Sequence, residues 1–222
     1  MKYVSGLVVT APDGFVSMAQ AIHLIIRSGT FPSKNRAKAR SRREFLTILF
    51  AFMMLIRPAD QNDLPALMAL RNWYIDHSFA TFDEQHLTLR QMAQWFTQFG
   101  DGPYRCYVAV INGQIVGYCS SQAYRQHPAF RHTIETSIYV AASAGRSGTG
   151  SALYQTLFDA LQDQNLHRAV VGIALPNDAS VGLHEKFGFR RIGVFDEYAV
   201  KHGKRISSVW MEKSLSDSCL NS

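Results

Sequence analysis

Thr136-Ser137-Ile138-Tyr139-Val140, then Gly145-Arg146-Ser147-Gly148-Thr149-Gly150, then Ser151-Ala152-Leu153-Tyr154-Gln155-Thr156-Leu157-Phe158 is the stretch on which the reading of this chain turns. An alternating, β-branched run gives way to a glycine loop, and the loop to apolar residues at helical spacing, which predicts strand, loop and helix. The first N–H groups of a helix have no partner within it and carry the positive end of its dipole, so such an entry accepts an anion. Gly148 and Gly150 leave room for one to approach. A nucleoside-triphosphate loop needs Lys and Ser/Thr directly after its last glycine, whereas Ser151-Ala152 follows here. The Gly-x-Gly-x-x-Gly order of a dinucleotide site is not kept either. A diphosphate held without metal chemistry fits these residues better, although a plain glycine turn has the same pattern.

Upstream, Leu55-Ile56-Arg57-Pro58 reads as a strand ended by proline. Asp60 or Asp63 is a cap for a helix whose Leu64, Leu67, Leu70, Trp73 and Tyr74 are expected on one face. Thr88 to Phe99 repeats the helical pattern, and Asn112-Gly113 between Tyr104–Ile111 and Gln114–Ser121 is a strong hairpin signal. A strand from about His132 to Val140 leads into the glycine loop. Downstream, His167 to Leu175 reads as a strand, Asn177 to Phe187 as a helix, and Gly188 begins a closing pair of strands that ends near Met211. The predicted order is βααβββαβαββ, an α/β (α+β) domain without internal repeats.

The chain has 222 residues, enough for one domain with an appendage. Of its 23 Lys and Arg, eight fall in the first 44 residues, against Asp13 and Glu44 among the 17 acids there, which leaves fifteen of each sign from Phe45 onward. The whole excess of +6 therefore belongs to the N-terminal segment, and the neutral body gives no reason to expect nucleic acid as its partner. Residues 1–53 read as a basic extension with little order, or as the product of a start codon set too far upstream, with Met53 or Met54 the true beginning. A targeting segment is the weaker reading, because the apolar run from Phe45 to Ile56 is short of the roughly 20 residues that span a bilayer. No membrane partner is expected, residues 54–215 form the domain, and 216–222 are a tail. Cys106, Cys119 and Cys219, odd in number and widely spaced, suit neither a zinc site nor a disulfide framework, so no metal is expected and the cytoplasm is the expected compartment.

The strand, glycine loop and helix, the next strand, and Asn177-Asp178-Ala179-Ser180-Val181-Gly182-Leu183-His184-Glu185-Lys186-Phe187-Gly188-Phe189 together resemble the acetyl-CoA-binding half of the GNAT superfamily of N-acetyltransferases. Thr133 to Val140, Tyr124-Arg125, Phe130, Val171-Gly172-Ile173 with Asn177, and Lys201-His202-Gly203 narrow the likeness to the phosphinothricin and methionine sulfone (sulfoximine) acetyltransferases, over roughly residues 54 to 213. The resemblance implies the GNAT fold, a mixed, mostly antiparallel sheet of about six or seven strands splayed between the fourth and fifth, and a homodimer. It implies acetyl-CoA as co-substrate and a small amino acid as acceptor. Ile138, Tyr139 and Val140 would then offer strand-edge amides and carbonyls to the pantetheine arm, Arg146, Ser147, Gly148, Thr149, Gly150 and Ser151 would wrap the pyrophosphate, and Asn177 would lie near the thioester. Gly145 departs from the family, which has Arg or Gln at that position, and Arg146 is the neighbouring substitute.

An ammonium must lose its proton before it attacks a thioester, so the site needs a base, and the resemblance gives that role to Glu135. An ordinary carboxylate is a weak base for this, so Glu135 is expected to be partly desolvated. His184 stands where many superfamily members have the tyrosine that protonates the thiolate; it would be that acid or would orient Glu135. Arg125 and Phe130, with Pro128 and Ala129 between them, match acceptor-side positions, a guanidinium for the amino-acid carboxylate and a ring for its side chain. Arg205 and Ser207 replace the family's Trp and Asp and would alter acceptor choice if they line the pocket. Other acceptors, a polyamine or a protein N-terminus, and a non-enzymatic module that binds nucleic acid or a membrane through the basic arm remain as alternatives.

Overall fold

The computed structural model describes residues 54–215. The expected extension over 1–53 and the tail over 216–222 lie outside the described residues. In chain order come β1 (Met54–Pro58), α1 (Leu64–His77), α2 (Leu89–Phe96), β2 (Cys106–Ile111), β3 (Gln114–Ala123), β4 (Thr133–Val140), α3 (Thr149–Ala160), β5 (Arg168–Ala174), α4 (Asp178–Lys186), β6 (Arg190–Lys201) and β7 (Lys204–Ser214). That is the expected βααβββαβαββ order.

Local chemistry accounts for most boundaries. Asp60 and Asp63 form a reciprocal capping box on the short turn that opens α1, and Thr88 and Gln91 do the same for α2. Arg57 grips Asp63 with two bonds of 2.6 and 2.7 Å, which ties β1 to the start of α1 and holds the Asp63 carboxyl below its ordinary range. Asn112 and Gly113 (φ 51° and 76°) turn β2 into β3, and His202 and Gly203 (φ 49° and 72°) turn β6 into β7. Both pairs carry the two positive φ angles of the turn that matches strand twist. On α1 the expected face needs correction: Trp73 is 42% exposed and stacks on His77, while Ile75 is fully buried. At about 100° per residue, position 73 stands opposite 64, whereas 75 returns to the same side.

The strands form one sheet in the order β1-β2-β3-β4-β5-β7-β6. Every neighbouring pair is antiparallel except β4 and β5, which run parallel and pair only at Thr133 with Arg168, Ile134 with Ala169 and Glu135 with Val170. Beyond Glu135 the two strands part, because β5 stays with β7 as far as Ala174–Ser208. The second half of β4 is left with an open edge in mid-sheet. One face of the sheet buries Ile134, Cys119 and Val171 against Leu153, Tyr154 and Leu157 of α3. The other packs Tyr118, Tyr139 and Val108 against Leu67 of α1 and Met92 of α2.

Candidate active site

A cleft of about 1120 Å³ runs through the gap between β4 and β5 and reaches both faces of the sheet. At one end lies the N-terminus of α3. Gly148 takes φ 90° as its cap residue and no side chain caps the helix, so its first amides face the cleft unpaired. Ser147 Oγ donates to Ala144 O at 2.6 Å and sits 2.8 Å from Thr149 Oγ1, which holds the loop in shape. A Cβ on Gly150 would stand 3.1 Å from Leu183 Cδ2, so a larger residue there would have to displace that side chain. Lys186, which sequence reasoning did not single out, donates to Ser151 Oγ at 2.9 Å and brings a cation to the same end. Together these groups suit a diphosphate. Gly145 is extended at φ −64°, and Arg146 beside it takes φ 58° on the exposed outer turn.

Along the open edge of β4 the alternation of the strand decides what each residue offers. The Ala141 amide donates to Val116 O on β3, so Tyr139, two residues earlier, likewise turns its backbone toward β3. Ile138 and Val140 turn theirs away from it, into the gap. Tyr139 therefore does not offer the edge amide and carbonyl expected of it; it lines the cleft with its ring. Tyr74 of α1 donates its hydroxyl to Val140 O at 2.7 Å and holds the lower part of that edge. Asn177 spends its side-chain oxygen on the Ser180 amide at 3.1 Å, capping α4, and lines the cleft.

Glu135 stands where the strands part. It is half-buried, has no hydrogen-bond partner among the described residues, and burial raises its pKa above the ordinary carboxylate value. Gln122 pairs with it across β3 and lines the same wall. Glu135, Ser137 and Tyr139 point to the α1/α2 face, and Thr136 and Ile138 to the α3/α4 face.

That alternation separates Glu135 from His184. The His184 ring is 1% exposed on the α3 side, where Nδ1 donates to Ser180 O at 2.7 Å and Nε2 accepts from the Tyr154 hydroxyl at 2.8 Å. Tyr154 Oη also lies 3.4 Å from Thr136 Oγ1. Burial lowers the His184 pKa to about 4, so the ring is neutral at physiological pH. A carbonyl only accepts, so the one ring proton sits on Nδ1 and Nε2 has none to give. His184 is thus not brought to Glu135, and in this tautomer it is no proton donor.

The expected acceptor-side residues Arg125, Pro128, Ala129 and Phe130 are not among those that line the cleft. Pro128–Phe130 form one short turn capped by His127, and the Arg125 guanidinium lies 5.1 Å from the Tyr124 ring and 5.9 Å from Phe130. Tyr124 in turn meets Trp210, whose indole crosses the bare backbone of Gly172 and lines the cleft. Arg205 and Ser207 stand outside it: Arg205 pairs with Glu197 at 2.9 Å, and Ser207 bonds Asp196 at 2.6 Å, which braces the irregular stretch of β6.

Sequence reasoning also missed the groups that hold the acceptor side together. Lys201 is 0% exposed and donates to Ser78 O at 2.6 Å and Thr81 O at 2.9 Å, pinning the loop after α1 to the β6–β7 hairpin. Arg71 spreads over the Tyr139 ring at 4.9 Å and reaches Asp83 at 3.2 Å.

A splayed sheet with an uncapped glycine-bounded helix at one end of the gap and a lone carboxyl at the other defines an acyl-CoA-dependent acetyltransferase. The profile described as the acetyltransferase (GNAT) family matches residues 67–189, and the chain belongs to that family. Among particular relatives, a phosphinothricin N-acetyltransferase of Streptomyces coelicolor is 42% identical over 163 residues, 72% of this chain and 95% of the relative. An L-methionine sulfoximine/L-methionine sulfone acetyltransferase of Pseudomonas paraeruginosa is 32% identical over 72% of this chain and 94% of its own. The crystal structure of a phosphinothricin acetyltransferase from Sinorhizobium meliloti in complex with acetyl-CoA superposes with a TM-score of 0.72 at 26% identity, over 77% of this chain and 92% of that one.

Proposed function

We propose that this N-acetyltransferase moves the acetyl group of acetyl-CoA onto the α-amino group of a small amino acid of the methionine sulfone, methionine sulfoximine or phosphinothricin type. The observation that carries the reading is Glu135, unpartnered and half-buried at the point where the sheet opens, with the α3 amides at the far end of the same gap. Acetyl-CoA, held by those amides and by the backbone of Ile138 and Val140, supplies a thioester-bound acetyl group there. Glu135, as general base, takes a proton from the acceptor ammonium directly or through a water. The freed nitrogen attacks the carbonyl carbon, an N–C bond forms, the C–S bond breaks as CoA leaves with the electron pair on sulfur, and the extra proton on the nitrogen passes to that thiolate. Gly148, Gly150, Ser151 and Arg146 grip the pyrophosphate, Asn177 borders the thioester, and Arg125 with Phe130 receives the acceptor carboxylate at the rim. His184 is a positioning residue, its neutral ring fixing Tyr154 and Thr136 behind the gap. The relatives named for amino-acid acceptors favour this class over polyamines or protein N-termini.

We extend the proposal to residues 54–215 as the catalytic domain and to a homodimer in the cytoplasm. Ile192, Val194, Phe195 and Val200 on the edge strand β6 are each more than half exposed, an apolar row that a second copy covers. Cys106 and Cys119 are buried free thiols, in keeping with a reducing compartment. Incubating the protein with acetyl-CoA and the three amino acids, beside spermidine and a peptide N-terminus, and following mass shift and thiol release tests the reading. Acetylation of the amino acids is expected. No amino-acid turnover by protein that binds acetyl-CoA in calorimetry would sink it.

A further inference from the structure

Arg71 carries a guanidinium that the fold has left half used. Its Nη2 reaches Asp83 at 3.2 Å and Thr81 at 3.4 Å, while Nε is buried without a hydrogen bond. Two more buried polar atoms on residues that line the cleft are unpartnered, Ser120 Oγ and Trp210 Nε1, while the buried Tyr118 hydroxyl lies against the Arg71 guanidinium. Tyr118 stacks on Tyr139, and Tyr139 carries Arg71 on its ring. Arg71, Ser120 and Tyr139 all line the cleft together with Glu135. Buried donors without partners are rare in folded proteins, and a charged one is costly to leave unmade, so unsatisfied donors on Arg71 and Ser120, both lining one cleft, mark a place where a ligand oxygen completes the bonding.

The patch also has a direction. β3 and β4 pair Gln122 with Glu135, Ser120 with Ser137 and Tyr118 with Tyr139, so the row that begins at the base ends under Arg71. Arg125 follows β3 beyond Glu135, at the opposite end. An amino acid whose nitrogen meets Glu135 and whose carboxylate turns toward Arg125 extends its side chain along this row toward Arg71. We propose that Arg71, with Ser120, reads the side chain of the acceptor and selects those that end in oxygen acceptors, as a sulfone, sulfoximine or phosphinate does, over the apolar thioether of methionine. Asp83 holds one edge of the guanidinium in place and leaves the remaining donors for the ligand.

This assignment rests on the amino-acid reading above, and the experiment separates the two. The ratio of kcat/KM for methionine sulfone to that for methionine is measured in the unsubstituted protein, in Arg71→Met and in Arg71→Lys, with acetyl-CoA binding followed by calorimetry in each. Loss of a hydrogen bond to a charged donor lowers the ratio about tenfold or more in Arg71→Met. Arg71→Lys recovers it in part, since the charge remains but the fixed fork does not. An equal change for both acceptors, or an unchanged ratio in either variant, overturns the role of Arg71 while the amino-acid reading stands. Should Arg71→Met fail to bind acetyl-CoA, the Arg71→Lys ratio decides alone. Absence of amino-acid turnover in the unsubstituted protein overturns both.

Discussion

The two faces of the sheet treat polar chemistry in opposite ways. On the α3/α4 face the buried and half-buried polar side chains near the gap are spoken for: His184 by Ser180 and Tyr154, Ser147 by Ala144, and Asn177 by the Ser180 amide. What that face presents to a ligand is backbone, the uncapped amides of α3 and the edge of β4. On the α1/α2 face the groups that line the cleft are side chains, and several are unsatisfied: among the described residues Glu135 has no hydrogen-bond partner, and Arg71 Nε and Ser120 Oγ have none either. The difference follows from what each side must recognise. On the proposed function, a cofactor that never changes is held by backbone geometry, which substitutions scarcely alter. An acceptor that differs between enzymes is read by side chains, which leave bonds open until it arrives.

Breaking the acceptor face at its base has the largest expected effect. Glu135→Gln lowers kcat about 10²- to 10⁴-fold while the affinity for acetyl-CoA, set on the other face, changes little; steady-state kinetics beside calorimetry check both. Activity of the unsubstituted protein rises with pH along a limb above the ordinary carboxylate pKa, because the carboxyl must be charged to act and burial raises its pKa. The same shift has a sign for stability. A folded-state pKa above the unfolded one makes the charged carboxyl a cost, absent below the unfolded value and complete above the folded one, so Glu135→Gln has the higher melting temperature at neutral pH.

The converse experiment strikes the cofactor face. In Gly150→Val the new side chain pushes Leu183 into the gap, and the Kd for acetyl-CoA rises about tenfold, the size of a mild overpacking. An unchanged Kd would mean that this helix entry does not hold the cofactor. A smaller effect is expected for Lys201→Met, which leaves the carbonyls of Ser78 and Thr81 without their donor and costs about 1–3 kcal/mol in denaturant unfolding. Acceptor KM then rises more than that of acetyl-CoA, since the loop it pins belongs to the acceptor face alone. The slightest test concerns His184. A folded-state pKa near 4, against 6.5 for a free imidazole, means that stability is intact above about 6.5 and falls as the pH drops toward 4. His184→Gln flattens that decline in acid unfolding curves.

Much of the cofactor face was legible because its signals are local. Gly148, Gly150 and the apolar spacing of Leu153, Tyr154 and Leu157 lie within one strand–loop–helix unit, so neighbouring residues carry the whole message. Glu135 was singled out by the resemblance to the family, and the structure adds its place where β4 and β5 part. The rest of the acceptor face was not legible. Tyr74 meets Val140 across 66 residues of chain and Lys201 meets Ser78 across 123, and no window of sequence holds both ends of such a contact. Trp73 was misread because a helical pattern tolerates an aromatic on its outer side without altering the period. His184 was read as an acid from its position in the motif; its burial and its tautomer come from Tyr154 and Ser180, which only packing brings to it.

By itself, then, the order of residues determined the succession of strands and helices, the turn at Asn112-Gly113 and the glycine-bounded entry to α3. These are decided by side-chain period, by backbone freedom and by capping, which act over a few residues. Only the tertiary structure decided which face of β4 each group serves, that Tyr139 gives its ring rather than its amide, that His184 is neutral and closed off, and that Arg71 stands over the Tyr139 ring with its Nε unpartnered. Those properties depend on burial and on partners far away in the chain, and a residue acquires them only when the sheet has closed around it.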